Sequence, residues 1–255
     1  IASRRLESAE LLAGKLSHAA AVKNPQAVVD AADLVFITTP DGAIAEVAAS
    51  LQVRKGQMFC HLSAATSLDA LKPLSARGAI TGVFHPLQSA GSLDKTAIRP
   101  GITFAVEAAE PLLGMLKAIA VKLGGRVIEL SAGNRVLYHA SAVMASNYLV
   151  TLISRAAGLW QPFGTRQQAV EALLPLIRGT VDNIETIGIP DCLTGPIARG
   201  DTATVRQHLE VLADRAPDAL DIYRNMALQT IPLAVARGGI NKGQAVELKE
   251  LLETE

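Results

Sequence analysis

Three short apolar runs, each closed by a polar or proline-containing turn, constrain the fold of the first half of this chain. The runs are Leu34–Thr39, Met58–Ser63 and Ile80–His85. A continuous apolar run of this length is typical of a strand that is covered on both faces, as in a parallel sheet. An amphipathic segment such as Asp41–Leu51, which follows the first run, fits the helices that such a sheet requires. The first half therefore predicts an α/β doubly wound sheet, with two further strands at Ile102–Val106 and Arg126–Leu130.

The pattern changes near residue 134, where the strand signals nearly vanish. Helical periodicity predicts five helices in the second half: Arg135–Leu159, Arg166–Thr186, Thr202–Asp214, Ala219–Ala236 and Gln244–Leu252. We therefore predict an α/β domain over residues 1–132 and an all-helical domain over residues 133–255.

Charge and cysteine content exclude several classes of protein. The 24 basic residues balance the 24 acidic residues, so no bulk attraction to nucleic acid or to an anionic membrane is predicted. No segment reaches 18 uninterrupted apolar residues, and we expect no membrane span. Cys60 and Cys192 lie far apart, which disfavours a disulfide framework and favours a reducing cytoplasm.

The start of the chain reads like the end of a strand, a basic turn and a helix. In a dinucleotide-binding fold, this would be the second strand; the first strand and its glycine-rich loop would lie upstream and are missing from this sequence. Residues after the second strand meet the adenosine ribose, where an acid favours a free 2′-hydroxyl and an arginine favours a 2′-phosphate. Ser3, Arg4 and Arg5 are therefore predicted to bind NADP, with NAD as the other candidate. The alternative is that Ser3 caps the helix and both arginines are solvated.

Polar residues also follow the apolar runs. Thr38 and Thr39 end the first run and Pro40 follows it, and Ser63 stands in the equivalent place at the end of the second run. Ligands of open α/β sheets bind beyond the carboxyl ends of the strands, so we predict that these four residues border the dinucleotide. The alternative is a plain strand-to-helix turn.

Three residues are candidates for catalysis. His85 ends the third run and could face a nicotinamide or a substrate. On the predicted helix from residue 135, Asn147 lies about 80° round from His139 and about 12 Å along the axis. The two side chains could therefore bracket a ligand but not touch each other. The alternative is a pair of satisfied polar residues in the core. The five histidines show no metal-ligand spacing, so no metal site is predicted.

Taken together, these segments resemble a known group of bacterial proteins, the predicted NADP-dependent oxidoreductases that pair a Rossmann-like domain with a helical domain of unknown function. The resemblance covers nearly the whole chain. It rests on Thr39-Pro40-Asp41, His61-Leu62-Ser63, His85 through Ser89, Tyr138-His139-Ala140, Ala145 through Tyr148, Pro175 through Thr180, and Thr194 through Asp201. More distantly, the chain is similar to the 6-phosphogluconate dehydrogenase superfamily, which includes ketopantoate reductase, pyrroline-5-carboxylate reductase and β-hydroxyacid dehydrogenases.

The resemblance implies an NADP-dependent oxidoreductase that transfers hydride to or from a small C=O or C=N substrate bound between the two domains. One departure matters for the chemistry. β-Hydroxyacid dehydrogenases place a catalytic lysine four residues before an asparagine, but position 143 here is Val143, and residues 134–160 contain no lysine. We therefore assign proton donation to His139, because an imidazole ordinarily titrates near neutral pH. Asn147 would orient the substrate, and His85 would line the nicotinamide side.

Three alternatives stay open. The chain could be a ketopantoate-type reductase, a non-catalytic NADP-binding sensor or scaffold, or a purely structural dimer. The apolar helix after residue 135 and the alanine-rich C-terminal helices predict a homodimer through the helical domain in each case.

Overall fold

The computed structural model describes residues 1–89 and 98–254. The described residues form two compact units, Ile1–Asn147 and Tyr148–Glu255. These units are defined by contacts alone, and the domain division at residue 132 stays a prediction.

The first unit is built on a five-stranded sheet with the order β1-β2-β3-β4-β5. The strands are β1 (Leu34–Ile37), β2 (Met58–His61), β3 (Ile80–Pro86), β4 (Thr103–Ala108) and β5 (Arg126–Glu129). Strands β1, β2 and β3 are parallel, and β4 and β5 are parallel to each other. The predicted α/β class and all five predicted strands are confirmed.

The pairing of β3 with β4 is antiparallel, which the sequence analysis did not anticipate. Gly82 lies opposite Ala108, and Pro86 lies opposite Phe104. A parallel pair needs a crossover connection, usually a helix, whereas an antiparallel pair does not. The absence of a helical pattern in the sequence between the two strands is consistent with this reversal.

Helices of the first unit cover both faces of the sheet. They are α1 (Leu6–Ala13), α2 (Pro25–Ala31), α3 (Ile44–Ser50), α4 (Lys72–Ser75), α5 (Leu112–Lys122) and α6 (Arg135–Ala145). Neighbouring residues of β2 show the two-sided burial. Phe59 packs with the cluster around Ile44 and Leu71, whereas Cys60 packs with the cluster around Phe104 and Leu116. This is the burial that an uninterrupted apolar strand predicts.

Helix α1 packs through its alanines and not through its leucines. Its buried residues are Ala9 and Ala13, while Leu11 and Leu12 are exposed. The leucine stripe of this helix therefore lies on the surface of the described residues.

The predicted single helix Arg135–Leu159 is interrupted. Helix α6 ends at Ala145, Ser146 leaves helical geometry with φ −118° and ψ −67°, and α7 (Asn147–Gly158) follows. Serine and asparagine have low helix propensity because their side chains compete for backbone hydrogen bonds. Two such residues in succession account for the break.

The described residues of the second unit form helices joined by turns and loops, with no strand among them. After α7 come α8 (Arg166–Thr186), α9 (Pro196–Arg199), α10 (Thr202–Arg215), α11 (Pro217–Ala236) and α12 (Lys242–Glu253). Its core joins α9 to α12 through Ile197, Val205, Leu209, Ile231, Ala234, Ile240, Leu248 and Leu252. Asp201 caps the N-terminal end of α10, where its carboxylate accepts a hydrogen bond of 3.0 Å from the Thr204 backbone N–H.

The run Arg135–Gly158 is long and apolar enough to cross a membrane by length and composition. Its mean hydropathy is 1.3 over the most apolar 18 residues, and none of that window is buried among the described residues. The expected absence of a membrane span stays a prediction.

Candidate functional site

A cavity of about 630 Å³ lies where the carboxyl end of β3 meets helix α6. From the end of β3 come His85, Leu87, Gln88 and Ser89; from the helix come His139, Ser141, Ala142, Val143, Ala145, Ser146 and Asn147. All three predicted catalytic residues line this one cavity. Its lining belongs wholly to the first unit.

The side chain of His85 is held by Tyr138, the residue that precedes His139 on α6. The Tyr138 hydroxyl lies 2.8 Å from the His85 Nδ1, and the two rings are nearly perpendicular at 82° with centroids 5.7 Å apart. Burial, followed by the nearby His139 and Arg135, lowers the pKa of His85 to about 4. Burial also raises the pKa of Tyr138 to about 12. At neutral pH the imidazole is therefore uncharged and the phenol keeps its proton, so the phenol can donate to Nδ1 and leave the imidazole proton on Nε2.

His139 has an unsatisfied polar atom at the same cavity. The side chain is half-buried, and its Nδ1 is buried with no hydrogen-bond partner among the described residues. Buried nitrogens in folded proteins nearly always have a partner, and an exception next to a cavity points to a ligand or an ordered water. Asn147 is exposed at the end of the cavity, at the start of α7.

The sequence analysis missed a buried ion pair beside the site. Arg135, at the first position of α6, pairs with Glu107 of β4, and their side chains are only 4% and 14% exposed. The Arg135 charge contributes to lowering the pKa of both His61 and His85. An arginine that opens an amphipathic helix is ordinarily solvated, so the sequence carries no signal for this burial.

The turn after β1 contains an unsatisfied hydroxyl. Thr38 and Pro40 are exposed, whereas the buried Thr39 Oγ1 has no hydrogen-bond partner among the described residues. This is the edge of the sheet at which open α/β folds bind ligands. Thr39 is therefore the best-placed cofactor candidate of this turn.

Ser63 links the ends of β1 and β2. Its hydroxyl donates to the Asp41 carboxylate at 2.7 Å and accepts from the Thr66 backbone N–H at 2.9 Å. The side chain is 8% exposed. These bonds fix the turns at the carboxyl edge, and they engage the hydroxyl that was predicted to border the dinucleotide.

His61 is fully buried in β2. Its Nδ1 accepts a hydrogen bond of 3.2 Å from the Ser63 backbone N–H. Burial, assisted by the Arg135 charge, lowers the pKa of His61 from 6.5 to about 4. The side chain is therefore neutral in the folded protein.

The two neutral histidines predict an acid-sensitive fold. Between pH 6.5 and about 4 the unfolded chain binds protons at His61 and His85 that the folded chain does not. The free energy of unfolding should therefore be fully retained above pH 6.5 and should fall as the pH is lowered toward 4. Urea unfolding across this range measures the slope. His61→Gln should remove about half of the histidine contribution, and His18→Gln, at an exposed site, should leave it unchanged. Equal slopes in all three proteins would contradict the assignment.

The start of the chain forms an isolated β-bridge outside the five named strands, followed by a turn and helix α1. Ala2 forms a parallel bridge with Val22, Ser3 is half-buried, and Arg4 and Arg5 are exposed. The N-cap of α1 is Arg5, and no side chain caps this helix. The alternative in which Ser3 caps the helix is therefore wrong. Neither these residues nor Thr38, Thr39, Pro40 and Ser63 line the His85 cavity.

Two family models match different parts of the chain. The model of the Rossmann-like domain matches residues 3–86, and the model named Domain of unknown function (DUF2520) matches residues 102–230. No curated protein matches the sequence.

Several solved structures share the fold. A candidate NADP oxidoreductase from Bacteroides fragilis is 24% identical, with 90% of this chain and 86% of that chain covered and a TM-score of 0.67. A reductive aminase from Aspergillus terreus, in complex with NADPH and ethyl-5-oxohexanoate, is 16% identical, with 99% and 82% covered and a TM-score of 0.57. The 1-pyrroline-5-carboxylate reductase of Streptococcus pyogenes is 17% identical, with 98% and 88% covered and a TM-score of 0.55.

Proposed function

The chain belongs to the family Domain of unknown function (DUF2520), and from that premise we propose that it is an NADP-dependent oxidoreductase. The proposed reaction transfers hydride to or from a small C=O or C=N substrate in the cavity lined by His85 and His139. The fold is shared with a reductase and with an aminase in complex with NADPH, and this motivates the reaction class.

One observation carries the proposal. His85, at the end of β3, lines a single cavity with His139 and Asn147, which come from a segment more than 50 residues later, and the His139 Nδ1 there has no partner among the described residues. A concave site with a few convergent polar groups is the usual form of a small-molecule site. Its volume of about 630 Å³ lies in the range of such sites.

The residues at the carboxyl edge of the sheet fit a dinucleotide. The unsatisfied Thr39 hydroxyl can hydrogen-bond to a ribose or phosphate oxygen, and the exposed Arg4 can pair with a 2′-phosphate. When bound, NADPH supplies the hydride, and the protein supplies orientation and a proton.

The side chains of the cavity have separate roles in this proposal. His139 delivers a proton to the substrate oxygen or nitrogen as hydride arrives, because Val143 replaces the lysine of related dehydrogenases. His85, held neutral by burial and oriented by Tyr138, presents a hydrogen-bond donor without adding charge. Asn147 orients the substrate carbonyl or the nicotinamide carboxamide.

The test is a pair of measurements on the purified full-length protein. Calorimetry with NADPH and NADH reports binding, and loss of NADPH absorbance with a panel of cyclic imines and 2-keto acids reports turnover. Binding with turnover of one substrate class supports the proposal, and ketopantoate in the panel tests the ketopantoate-type alternative. Binding without turnover favours the sensor or scaffold, which the missing lysine already makes a specific candidate. No binding of either coenzyme refutes the proposal.

Coenzyme preference gives a sharper test of the basic turn. We expect Arg4→Ala to weaken NADPH binding by about tenfold or more, because it removes a charge-assisted contact to the 2′-phosphate. The affinity for NADH should stay the same. Arg126→Ala, an exposed arginine on β5, is the matched control. Equal loss of NADPH affinity in both variants would show that bulk charge is responsible.

We also propose a homodimer through the helical part. Helix α8 exposes Leu176, Val181 and Ile184 by 67%, 52% and 42%. Monomeric proteins rarely leave contiguous apolar faces of this kind uncovered. The apolar run 135–158, which comprises α6 and α7, is a second surface that a partner could cover. Lipid is a poor partner for this run, because its Arg155 pairs with Asp218 and charged groups are costly in lipid. A second copy of the chain is the better occupant.

Sedimentation velocity at micromolar concentration tests this assembly. We expect the wild-type protein to sediment as a dimer and Leu176→Glu combined with Ile184→Glu to sediment as a monomer, because two buried carboxylates at an interface are strongly unfavourable. Gln167→Glu, on an exposed polar position of the same helix, should leave the dimer intact. A monomeric wild-type protein would contradict the proposal.

Both cysteines are free, which fits the predicted cytoplasmic compartment.

A further inference from the structure

A second cavity, also of about 630 Å³, lies wholly within the second unit. It is bordered by one face of α7, the start of α8 and the junction between α10 and α11. Ser154 and Arg155 belong to the α7 face, Arg166 opens α8, and Arg215 ends α10. The proposed oxidoreductase reaction uses none of these residues.

The residues that line this cavity carry an excess of positive charge. Three arginines face one acidic residue, Asp218, which leaves a formal excess of two positive charges. Arg155 pairs with Asp218, and Arg166 donates a hydrogen bond to the Ser154 hydroxyl. Arg215 lies 3.6 Å from Asp214, but both side chains are largely exposed, and such a pair contributes little.

Two of these guanidinium groups therefore have spare capacity for an anion. Arg166 forms no ion pair among the described residues, and Arg215 has only the exposed carboxylate of its chain neighbour. Each guanidinium presents a planar fork of donors that matches a carboxylate or a phosphate. The Ser154 hydroxyl, which accepts a hydrogen bond from Arg166, adds a neutral donor to the lining of the cavity.

The backbone adds to the same preference. Helix α11 begins at Pro217, beside the cavity, and no side chain caps its N-terminal end. Pro217 has no N–H group, and the backbone N–H groups of Ala216 and Ala219 already donate to carbonyl oxygens, so the helix dipole is the main backbone contribution that favours negative charge at this end. Asp218 lies in the first turn of α11, and its negative charge offsets part of the positive potential there. Its carboxylate therefore competes with any bound anion.

We propose that this cavity binds a small dianion, either a phosphate monoester or a dicarboxylate. The two classes share paired anionic oxygens that Arg166 and Arg215 can bind together. Binding here is independent of NADP binding at the first unit, so the site adds a ligand to the protein whatever its reaction proves to be.

Calorimetry on the full chain in chloride buffer of constant ionic strength tests the site, with inorganic phosphate and succinate as separate probes. We expect saturable binding of at least one probe. Arg166→Gln and Arg215→Gln should each weaken it by about fivefold, the upper limit expected for one exposed ion pair. Arg206→Gln, an exposed arginine on α10 outside the cavity, is the matched control.

Asp218→Asn is a variant in which we expect the affinity for the anion to increase. A misfolded variant would lose affinity, so an increase cannot result from misfolding. The substitution removes the competing carboxylate and releases Arg155, so the affinity for the anion should rise. Phosphate binding alone assigns a phosphate site, and succinate binding alone assigns a dicarboxylate site. The proposal is overturned by unsaturable binding of both probes, by equal loss in Arg206→Gln, or by weaker binding in Asp218→Asn.

Discussion

Replacement of His139 by alanine is expected to lower kcat for NADPH-dependent reduction by about 10²–10⁴-fold, the usual contribution of a positioned general acid. The affinity for NADPH should change little, because His139 belongs to the helix wall of the cavity and not to the turns at the carboxyl edge of β1 and β2. Stopped-flow measurement of NADPH oxidation, with the substrate identified from the imine and keto-acid panel, gives kcat directly.

Ser141→Ala is the matched control for this measurement. Ser141 lines the same cavity on the same helix, but its hydroxyl donates to the Tyr138 backbone carbonyl at 2.7 Å and has no proposed role in proton transfer. Full turnover by His139→Ala would remove His139 from the mechanism. Equal loss in His139→Ala and Ser141→Ala would show that the helix geometry, and not the imidazole, is responsible.

Removal of Glu107 is expected to lower the free energy of unfolding by about 3–5 kcal/mol, because the substitution leaves the buried Arg135 charge without its partner. The Arg135 side chain is 4% exposed and cannot turn to solvent without unpacking the start of α6. Urea unfolding of Glu107→Ala measures the loss.

Two comparisons separate burial from charge. The surface pair of Lys117 with Glu129 is 38% and 57% exposed, so Glu129→Ala should cost about 1 kcal/mol at most. The double variant Glu107→Leu with Arg135→Met should recover most of the loss, because apolar residues of similar volume can replace a buried ion pair. Similar losses in Glu107→Ala and Glu129→Ala would contradict the importance of burial.

The proposed role of Arg135 links stability to chemistry. Its charge helps to lower the pKa of His85 and of His61, so the ion pair that stabilises the start of α6 also helps keep both imidazoles neutral. This coupling was invisible in the sequence, because neither Glu107 nor Arg135 belongs to a recognisable motif. Tyr138 stood next to His139 in the sequence, yet its contact with His85 depends on how α6 lies across the end of β3.

The amino-acid sequence alone determined the elements of this fold. Apolar runs bounded by polar turns located all five strands, and helical periodicity located Arg166–Thr186 and the start of α10 at Thr202. These features depend on local interactions and on the period of burial, which a sequence displays directly. The pairing of His85 and His139 in one site followed from the rule that ligands bind at the carboxyl ends of strands.

Only the tertiary structure decided which polar groups are satisfied and which are not. The antiparallel β4, the buried pair of Arg135 with Glu107 and the arginine-lined cavity beside α11 all depend on contacts between residues that are distant in sequence. The sequence pattern of a helix does not show whether a charged residue will be exposed to solvent or buried against the sheet. The free energy that separates these outcomes comes from desolvation and pairing, which exist only once the chain has folded.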